Sequence, residues 1–360
     1  MKKVWRRSRG LHIWLSCLAA FFAAFAILRQ NHVPLNGLCQ HVLLPWEQLL
    51  GRICSCVSVS VAEVLIITLL MAAFFAVVCW IRRLIVTRFD GLVFYRGILA
   101  AVCVILTVWA GFCLLWTPFY SAESFQEKSG IVARGGTVAE LQELTARFAA
   151  DLSECEDTVP RDESGCFAVP RQEILAAAAE SYDGLYEEFP FLELPSRAPK
   201  AFATSRILSA LNFTGFYFPF TGEANVNIDS PAAYLGATIC HEMAHQRGIA
   251  SEQECNFIGV LAAIRSDDAA YRYSGYLTGY IYLANALYRV DKEAWQMIRD
   301  TLPETVRCDI HANTLYWQQF EGPVKQTAQT VYDVFLKVNG DALGILSYGT
   351  MVDLLLAYYA

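Results

Sequence analysis

The sequence predicts a mainly α protein in which three N-terminal transmembrane helices precede an α+β, mostly helical ectodomain with a small β-hairpin or sheet. Hydrophobic residues make up 55% of the 360 residues, more than an ordinary soluble enzyme carries. Three long apolar runs lie within residues 1–116, and apolar and polar residues then alternate mainly at helical spacing. These observations divide the chain into a membrane part and a folded part outside the bilayer.

The three apolar runs cover residues 11–28, 61–81 and 98–116. Each approaches the roughly 20 residues with which a helix crosses the hydrocarbon core of a bilayer. Lysine and arginine cluster before the first run and between the second and third, whereas the loop 29–60 carries only Arg29 and Arg52. The positive-inside rule therefore places the N-terminus in the cytoplasm and the chain after residue 116 outside. No clear small-residue cleavage site follows the first run, so we interpret it as a retained anchor.

The distribution of charge supports three regions: a transmembrane region (1–116), a juxtamembrane linker (117–136) and an ectodomain (137–360). Residues 1–116 hold 11 Lys and Arg against 3 Asp and Glu, a net charge of +8, and the remainder holds 17 against 32, a net charge of −15. An acidic ectodomain has no basic patch for phosphates, which argues against nucleic acid as a partner. The apolar runs predict a lipid bilayer as one partner.

The linker contains Pro118 and Gly135-Gly136, which discourage regular structure. Apolar residues at helical spacing then predict helices over residues 137–152, 170–189, 269–288, 292–302, 324–338 and 347–359. Cys155 and Cys166 flank an acidic, turn-rich stretch, and a loop-closing disulfide between them is expected in an oxidising compartment.

Residues 241–248 read HEMAHQRG, in a segment with helix signals. Ser230 is placed as an N-cap, Pro231 at the first helical position and Gly248 where a helix usually stops. Two histidines four residues apart lie on one face of a helix, so His241 and His245 can reach one metal ion. Glu242 would lie beside a metal-bound water and accept its proton. The pattern favours a zinc hydrolase; the alternative is a surface helix with two solvated histidines.

Catalytic zinc usually takes three protein ligands, so a third is needed. Ser251 resembles an N-cap with Glu254 three residues later, which predicts a capping box and a second helix running to about Ile264. Glu252 and Glu254 are both candidate ligands. A capping role would by itself explain a glutamate at position 254, whereas a purely structural role explains Glu252 less well.

Two aromatic and β-branched runs, 215–220 and 223–228, flank Thr221-Gly222 and predict a β-hairpin. Because the hairpin ends just before the metal-binding motif, its second strand is expected along the cleft, with Asn225 and Asn227 as substrate-binding residues. In metallopeptidases an edge strand at that place offers backbone N–H and C=O groups to an extended peptide. The alternative is an ordinary hairpin that packs its aromatic side chains under the helix.

HEMAHQRG and the following EQECNF, residues 252–257, resemble the bacterial membrane family known as domain of unknown function 3810. That family is grouped with the zinc metallopeptidases of the gluzincin type. The resemblance also takes in residues 219–227, Tyr332, residues 336–340 and residues 347–349, and so covers most of the chain. It implies a zincin-like ectodomain anchored in the bacterial cytoplasmic membrane.

Gluzincins place a zinc-binding Glu after the motif, commonly as Glu-x-x-Ala-Asp, and the matching positions are Glu252, Cys255 and Asn256. The alanine and aspartate are replaced here, so Glu254 stays open as the alternative ligand. The resemblance implies Zn²⁺ as cofactor, with Asn256 orienting a ligand. It also implies that Tyr348 donates a hydrogen bond to a tetrahedral oxyanion.

The expected activity is zinc-dependent hydrolysis of a peptide bond in a peptide or protein substrate, with Glu242 as general base. One rival is a non-catalytic membrane receptor or peptide-binding protein that keeps the zinc site for folding or for holding a peptide. The other is a membrane scaffold in which the histidines bind nothing.

Overall fold

A computed structural model describes residues 2–339 and 348–360, and the side chains of residues 5–339 and 349–360. The helices are, in chain order, α1 (Lys2–Arg7), α2 (Arg9–Leu28), α3 (His32–Leu38), α4 (Leu44–Cys54), α5 (Val61–Val86), α6 (Gly91–Leu115), α7 (Phe125–Ser129), α8 (Val138–Cys155), α9 (Arg171–Ala176), α10 (Ser205–Ala210), α11 (Leu235–His245), α12 (Glu252–Arg265), α13 (Ala269–Val290), α14 (Lys292–Thr301), α15 (Glu304–Gln318), α16 (Pro323–Asn339) and α17 (Tyr348–Tyr358). The chain is mostly helical, as predicted.

Three helices, α2, α5 and α6, are long and apolar enough to cross a membrane. Each contains nearly all of one predicted apolar run and extends beyond it. The Ser60 side chain caps α5 by accepting a hydrogen bond from the Glu63 N–H. The Asp90 side chain caps α6 by accepting from the N–H groups of Leu92 and Val93. The prediction of three apolar membrane-type helices is confirmed.

Residues 29–60 form α3, a π-helical turn over Cys39–Leu43 and α4, where the sequence suggested a loop. This segment joins the ectodomain: the Gln48 side chain donates a 2.6 Å hydrogen bond to the carbonyl oxygen of Gln246. At the start of α5, the Ser60 hydroxyl donates to the Asn225 side chain. At the end of α2, Arg29 donates to the Asn339 carbonyl oxygen. The end of the first span, at residue 28, and the start of the second span, at residue 61, therefore contact the same folded unit.

A three-stranded sheet contains β1 (Lys200–Ala201), β2 (Gly215–Phe218) and β3 (Glu223–Val226), in the order β1-β3-β2. β2 and β3 form the predicted antiparallel hairpin, and β1 adds a parallel strand too short to leave a pattern in the sequence. Gly222 adopts a φ of +63° in the turn, a conformation that glycine adopts without strain. The second strand of the hairpin is central and buried, so the expectation that it lies along the cleft is wrong; β2 is the edge strand.

The core of the ectodomain is built around α12, which packs between α11 and α13. Its side chains from residue 253 to residue 264 are buried, except Asn256. Gly259 lies where α12 crosses α11, and a Cβ at this position would be 2.9 Å from the backbone nitrogen of His241. The missing side chain permits the close approach that brings the start of α12 to the HEMAHQRG motif.

Two local predictions are wrong. Residues 170–189 do not form one helix: α9 ends at Ala176, and 3₁₀ turns follow over Ala177–Glu180 and Asp183–Leu185. Tight packing explains this, because a Cβ at Gly184 would be 2.5 Å from the Arg265 carbonyl oxygen. The linker also has regular structure, a 3₁₀ turn over Thr117–Tyr120 and α7, because the buried Phe119 and Phe125 hold it against the ectodomain.

The disulfide joins Cys166 to Cys308, not to Cys155, which is a free cysteine. The loop before Cys166 folds onto α15 rather than back onto α8. Two hydrogen bonds to Asp309 fix this arrangement, a 2.6 Å bond from Arg161 and a 2.7 Å bond from the Phe167 N–H. Sequence proximity predicted the wrong partner because these contacts are made across 142 residues.

Candidate metal centre

His241 and His245 lie one turn apart at the end of α11, with ring centroids 4.9 Å apart. The chain then turns back at Gly248, whose φ is +79°, and α12 begins at Glu252. The Glu252 carboxylate reaches both imidazoles, at 3.2 Å from Nε2 of His241 and 3.6 Å from Nε2 of His245. The three potential ligand atoms lie within 4.8 Å of one another.

The motif helix starts later than the sequence suggested. A 3₁₀ turn over Ala232–Tyr234 precedes α11, which begins at Leu235. Ser230 does not cap this helix; its hydroxyl donates to the Asn227 carbonyl oxygen at 2.8 Å. The predicted placement of the two histidines in the last turns of the helix is unaffected.

The surroundings of these side chains fit a metal ion. Nδ1 of His245 lies 2.8 Å from the carbonyl oxygen of Ile249, so it carries the proton and Nε2 presents its lone pair. Burial lowers the pKa of His245 to about 4, which keeps this imidazole neutral near pH 7. Asn256, which the sequence predicted to orient a ligand, lines the same cavity as His241. Two imidazole nitrogens and one carboxylate form the ligand set typical of catalytic zinc.

Glu252 carries the negative charge of this group. Burial by itself would raise its pKa, but the nearby His245 and His241 imidazoles lower the pKa to about 2. The Tyr332 hydroxyl on α16 donates a 2.7 Å hydrogen bond to its Oε1. The carboxylate is therefore ionised and oriented, as a metal ligand must be.

Glu254 points away from the histidines. Its carboxylate accepts hydrogen bonds from the backbone N–H groups of Phe125 at 3.0 Å and Gln126 at 3.3 Å, at the start of α7. The predicted capping box is wrong, because the Ser251 side chain makes no capping hydrogen bond. Glu254 joins the linker to the core, and Glu252 is the acid that the structure brings to the histidines.

Glu242 is buried, and its Oε2 has no hydrogen-bond partner among the described residues. Burial raises the pKa of this carboxyl to about 8 in the metal-free protein. Gly215 of β2 faces it closely, since a Cβ there would be 2.5 Å from its Oε1. A carboxyl group with an unpaired oxygen beside a ligand cluster is suited to accept and return a proton.

A cavity of about 1660 Å³ contains His241, Glu242, His245 and Glu252 in its wall. The edge strand β2 and residue 214 before it form one side, and α13 and α16 form others. Trp116, just after α6, also lines the cavity, and its ring centroid is 5.7 Å from that of His245. This space is large enough for several residues of an extended peptide.

Asn225 and Asn227 are not brought to this cavity. Both are fully buried. Asn225 accepts a hydrogen bond from Ser60, and Asn227 donates to Ser209 and to the carbonyl oxygen of Phe213. They act as internal supports because β3 is the central strand of the sheet.

The predicted oxyanion donor, Tyr348, begins α17, but its side chain lies outside the described residues. Sequence reasoning missed the contact that Tyr332 makes with Glu252. Tyr332 is among the residues that carry the family resemblance, and this was a signal that it could belong to the site. Sequence reasoning also missed that Trp116 lines the cavity, because its position at the end of an apolar run indicated only a membrane segment.

A family model described as "Protein of unknown function (DUF3810)" matches residues 39–356. No curated protein matches the chain, and no solved structure does. The match takes in the second and third apolar helices, the sheet and the metal centre.

Proposed function

The chain belongs to this family of proteins of unknown function, and from that premise we propose that it is a membrane-anchored zinc peptidase. One observation carries the proposal: two histidines and a glutamate within ligand distance share a cavity with a buried, partly unpaired Glu242. His241, His245 and Glu252 would hold Zn²⁺, which supplies a Lewis acid for water and for a carbonyl oxygen.

Glu242 supplies the proton transfer. Its carboxylate takes a proton from the water molecule that attacks the scissile carbonyl carbon, and returns that proton to the leaving amine. The geometry favours this cycle, because the unpaired Oε2 of Glu242 lies in the wall of the same cavity as the three candidate ligands. Tyr332 acts through Glu252 and is a positioning residue.

The edge of β2 is the proposed peptide-binding element. One side of this strand pairs with β3, and residues 214–217 line the cavity. An extended peptide can add to such an edge through backbone hydrogen bonds. Gly215 allows this strand to approach Glu242 closely, because a Cβ there would be 2.5 Å from its Oε1.

The folded part is proposed to lie outside the bacterial cytoplasmic membrane, with the N-terminus in the cytoplasm. The arginines between the second and third apolar runs support this orientation, as does a disulfide within residues 137–360.

The test compares wild type with Glu242→Gln in purified full-length protein. Zinc content is measured by elemental mass spectrometry, and cleavage of a random peptide library by mass spectrometry. We expect wild type to bind one zinc per chain and to cleave peptides. The variant should keep the zinc and lose turnover by about 100-fold to 10,000-fold. Glu180→Gln, a change at an exposed position that does not line the cavity, is the matched control.

Each rival function has its own result in this test. Stoichiometric zinc with peptide binding but without cleavage would indicate a zinc-containing receptor. A chain that takes up no zinc would be a scaffold in which the histidines bind nothing. Turnover unchanged in Glu242→Gln would exclude the proposed base.

A further inference from the structure

The candidate metal centre lies at the end of a membrane helix. α6 ends at Leu115, and Trp116, the next residue, packs its indole ring edge-on against His245. Phe112, about one turn inside the span, lines the same cavity. The cavity therefore begins at the level where the third span leaves the bilayer.

One wall of the cavity runs along the same span. Phe335 of α16 contacts Phe112 with ring centroids 5.1 Å apart, and Trp109 at 6.2 Å. Trp109 lies about 9 Å inside the end of α6, at 1.5 Å per residue. The C-terminal half of α16 is thus placed beside the outer part of a membrane helix.

The end of α16 is also fixed to the first span. Arg29, which directly follows α2, donates a 3.1 Å hydrogen bond to the carbonyl oxygen of Val338 and another to that of Asn339. The Thr117 hydroxyl, just after α6, donates to the Asn339 side chain at 2.8 Å. These contacts hold the end of α16 at the membrane-proximal ends of two spans.

One stripe of the exposed surface of α16 is mainly apolar, where a water-facing helix would be polar. Its valine face consists of four side chains that are 54–65% exposed: Val324, Val331, Val334 and Val338. At 100° per residue they fall on one stripe of the helix. Val324 and Val331 also line the cavity, so the rim of the cavity lies on this face. An exposed apolar stripe continuous with membrane helices is typical of a helix lying in the bilayer surface.

We propose that the valine face of α16 lies in the membrane surface and that the cavity takes a peptide still attached to its own membrane anchor. The substrate class rests on the proposed peptidase function; the lipid contact does not. The shared chemistry is a polypeptide segment joined to an apolar anchor, which is either an acyl chain or a transmembrane helix.

The position of the centre sets where cleavage occurs. The His245 ring lies 5.7 Å from the ring at the end of the span, and a bound metal adds about 2 Å. With about 2 Å more from the metal to the scissile carbonyl oxygen, the scissile bond is at most about 10 Å from the Trp116 indole at the end of the span. An extended chain covers about 3.3 Å per residue, so cleavage falls about three or four residues from the anchor.

The lipid contact is tested without catalysis. The photoreactive amino acid p-benzoylphenylalanine replaces Val334, which is exposed and does not line the cavity, in full-length protein in phosphatidylcholine–phosphatidylglycerol liposomes. The matched control carries it at Met297, an exposed apolar position on α14. We expect a phospholipid adduct at 334 and none at 297. No adduct at 334 would overturn the membrane placement of α16.

The substrate class is tested with one ten-residue random peptide library in three forms: free, palmitoylated, and fused to an apolar 20-residue helix. We expect at least one anchored form to be cleaved 10-fold or more faster than the free form, three or four residues from the anchor. Comparing the two anchored forms identifies the source. Val334→Asp should reduce the anchored rate several-fold and leave the free-peptide rate unchanged, whereas Met297→Asp should change neither.

Equal rates for all three forms would overturn the substrate assignment and leave the peptidase proposal standing. Zinc-loaded protein that cleaves no form would overturn the peptidase proposal, and the substrate assignment with it.

Discussion

Exchanging each of the two neighbouring glutamates for glutamine should separate metal binding from stability. Glu252 reaches both imidazoles, whereas Glu254 accepts backbone hydrogen bonds from the start of α7. We therefore expect Glu252→Gln to lose zinc with little change in the fold. Glu254→Gln should keep zinc and lose stability.

The magnitudes follow from these contacts. Loss of an outer contact to a metal ligand costs about 10-fold to 100-fold in affinity, so loss of the anionic ligand itself should cost more than about 100-fold, or about 2.8 kcal/mol. The amide oxygen of glutamine at 254 can keep the donors of one carboxylate oxygen, either those of Gln126 or that of Phe125, so at least one charge-assisted hydrogen bond worth about 1.5–3 kcal/mol is lost. For a domain of this size that lowers Tm by about 3–12 °C.

The assay combines competition with a fluorescent zinc chelator and thermal melts in detergent. Melts with chelator present compare the folds of metal-free wild type and variants directly. Zinc lost in Glu254→Gln but retained in Glu252→Gln would refute the ligand assignment. Equal melting temperatures for metal-free wild type and Glu254→Gln would refute the role of Glu254 in joining the linker to the core.

Three further outcomes are expected. Tyr332→Phe removes the 2.7 Å hydrogen bond to Glu252 and should lower zinc affinity about 10-fold to 100-fold in chelator competition. Cys166→Ser should lower the unfolding free energy by about 2–5 kcal/mol in non-reducing denaturant titrations, whereas Cys155→Ser should leave it unchanged. Burial raises the pKa of Glu47, so the folded state keeps a proton that the unfolded chain releases above pH 4.5. This group should then lower the unfolding free energy by up to about 1.4 kcal/mol per pH unit above that pH, and Glu47→Gln should make the pH slope shallower by that amount in melts above about pH 5.

Features that depend on neighbouring residues were predictable. The apolar runs predicted three membrane-type helices, because length and composition decide whether a helix can span a bilayer. The spacing of His241 and His245 placed both rings on one face, because the period of a helix is the same wherever it packs. The hairpin followed from two aromatic and β-branched runs on either side of Thr221-Gly222.

Relations between distant elements were decided by the tertiary structure. The sequence favoured Glu252 but left Glu254 open as a ligand, and the crossing of α12 over α11 at Gly259 turns Glu252 towards the histidines. The partner of Cys166 was set by the loop packing on α15. Which strand became the edge depended on β1, a strand of two residues.

The sequence by itself therefore determined which residues share a helix face and which segments are apolar enough for a bilayer. The tertiary structure decided which acid completes the candidate metal centre and placed that centre against Trp116 at the end of α6. The physical reason is the distance along the chain over which each effect acts. Periodicity and hydropathy act over a few residues, whereas contacts between helices depend on side-chain packing across the whole core.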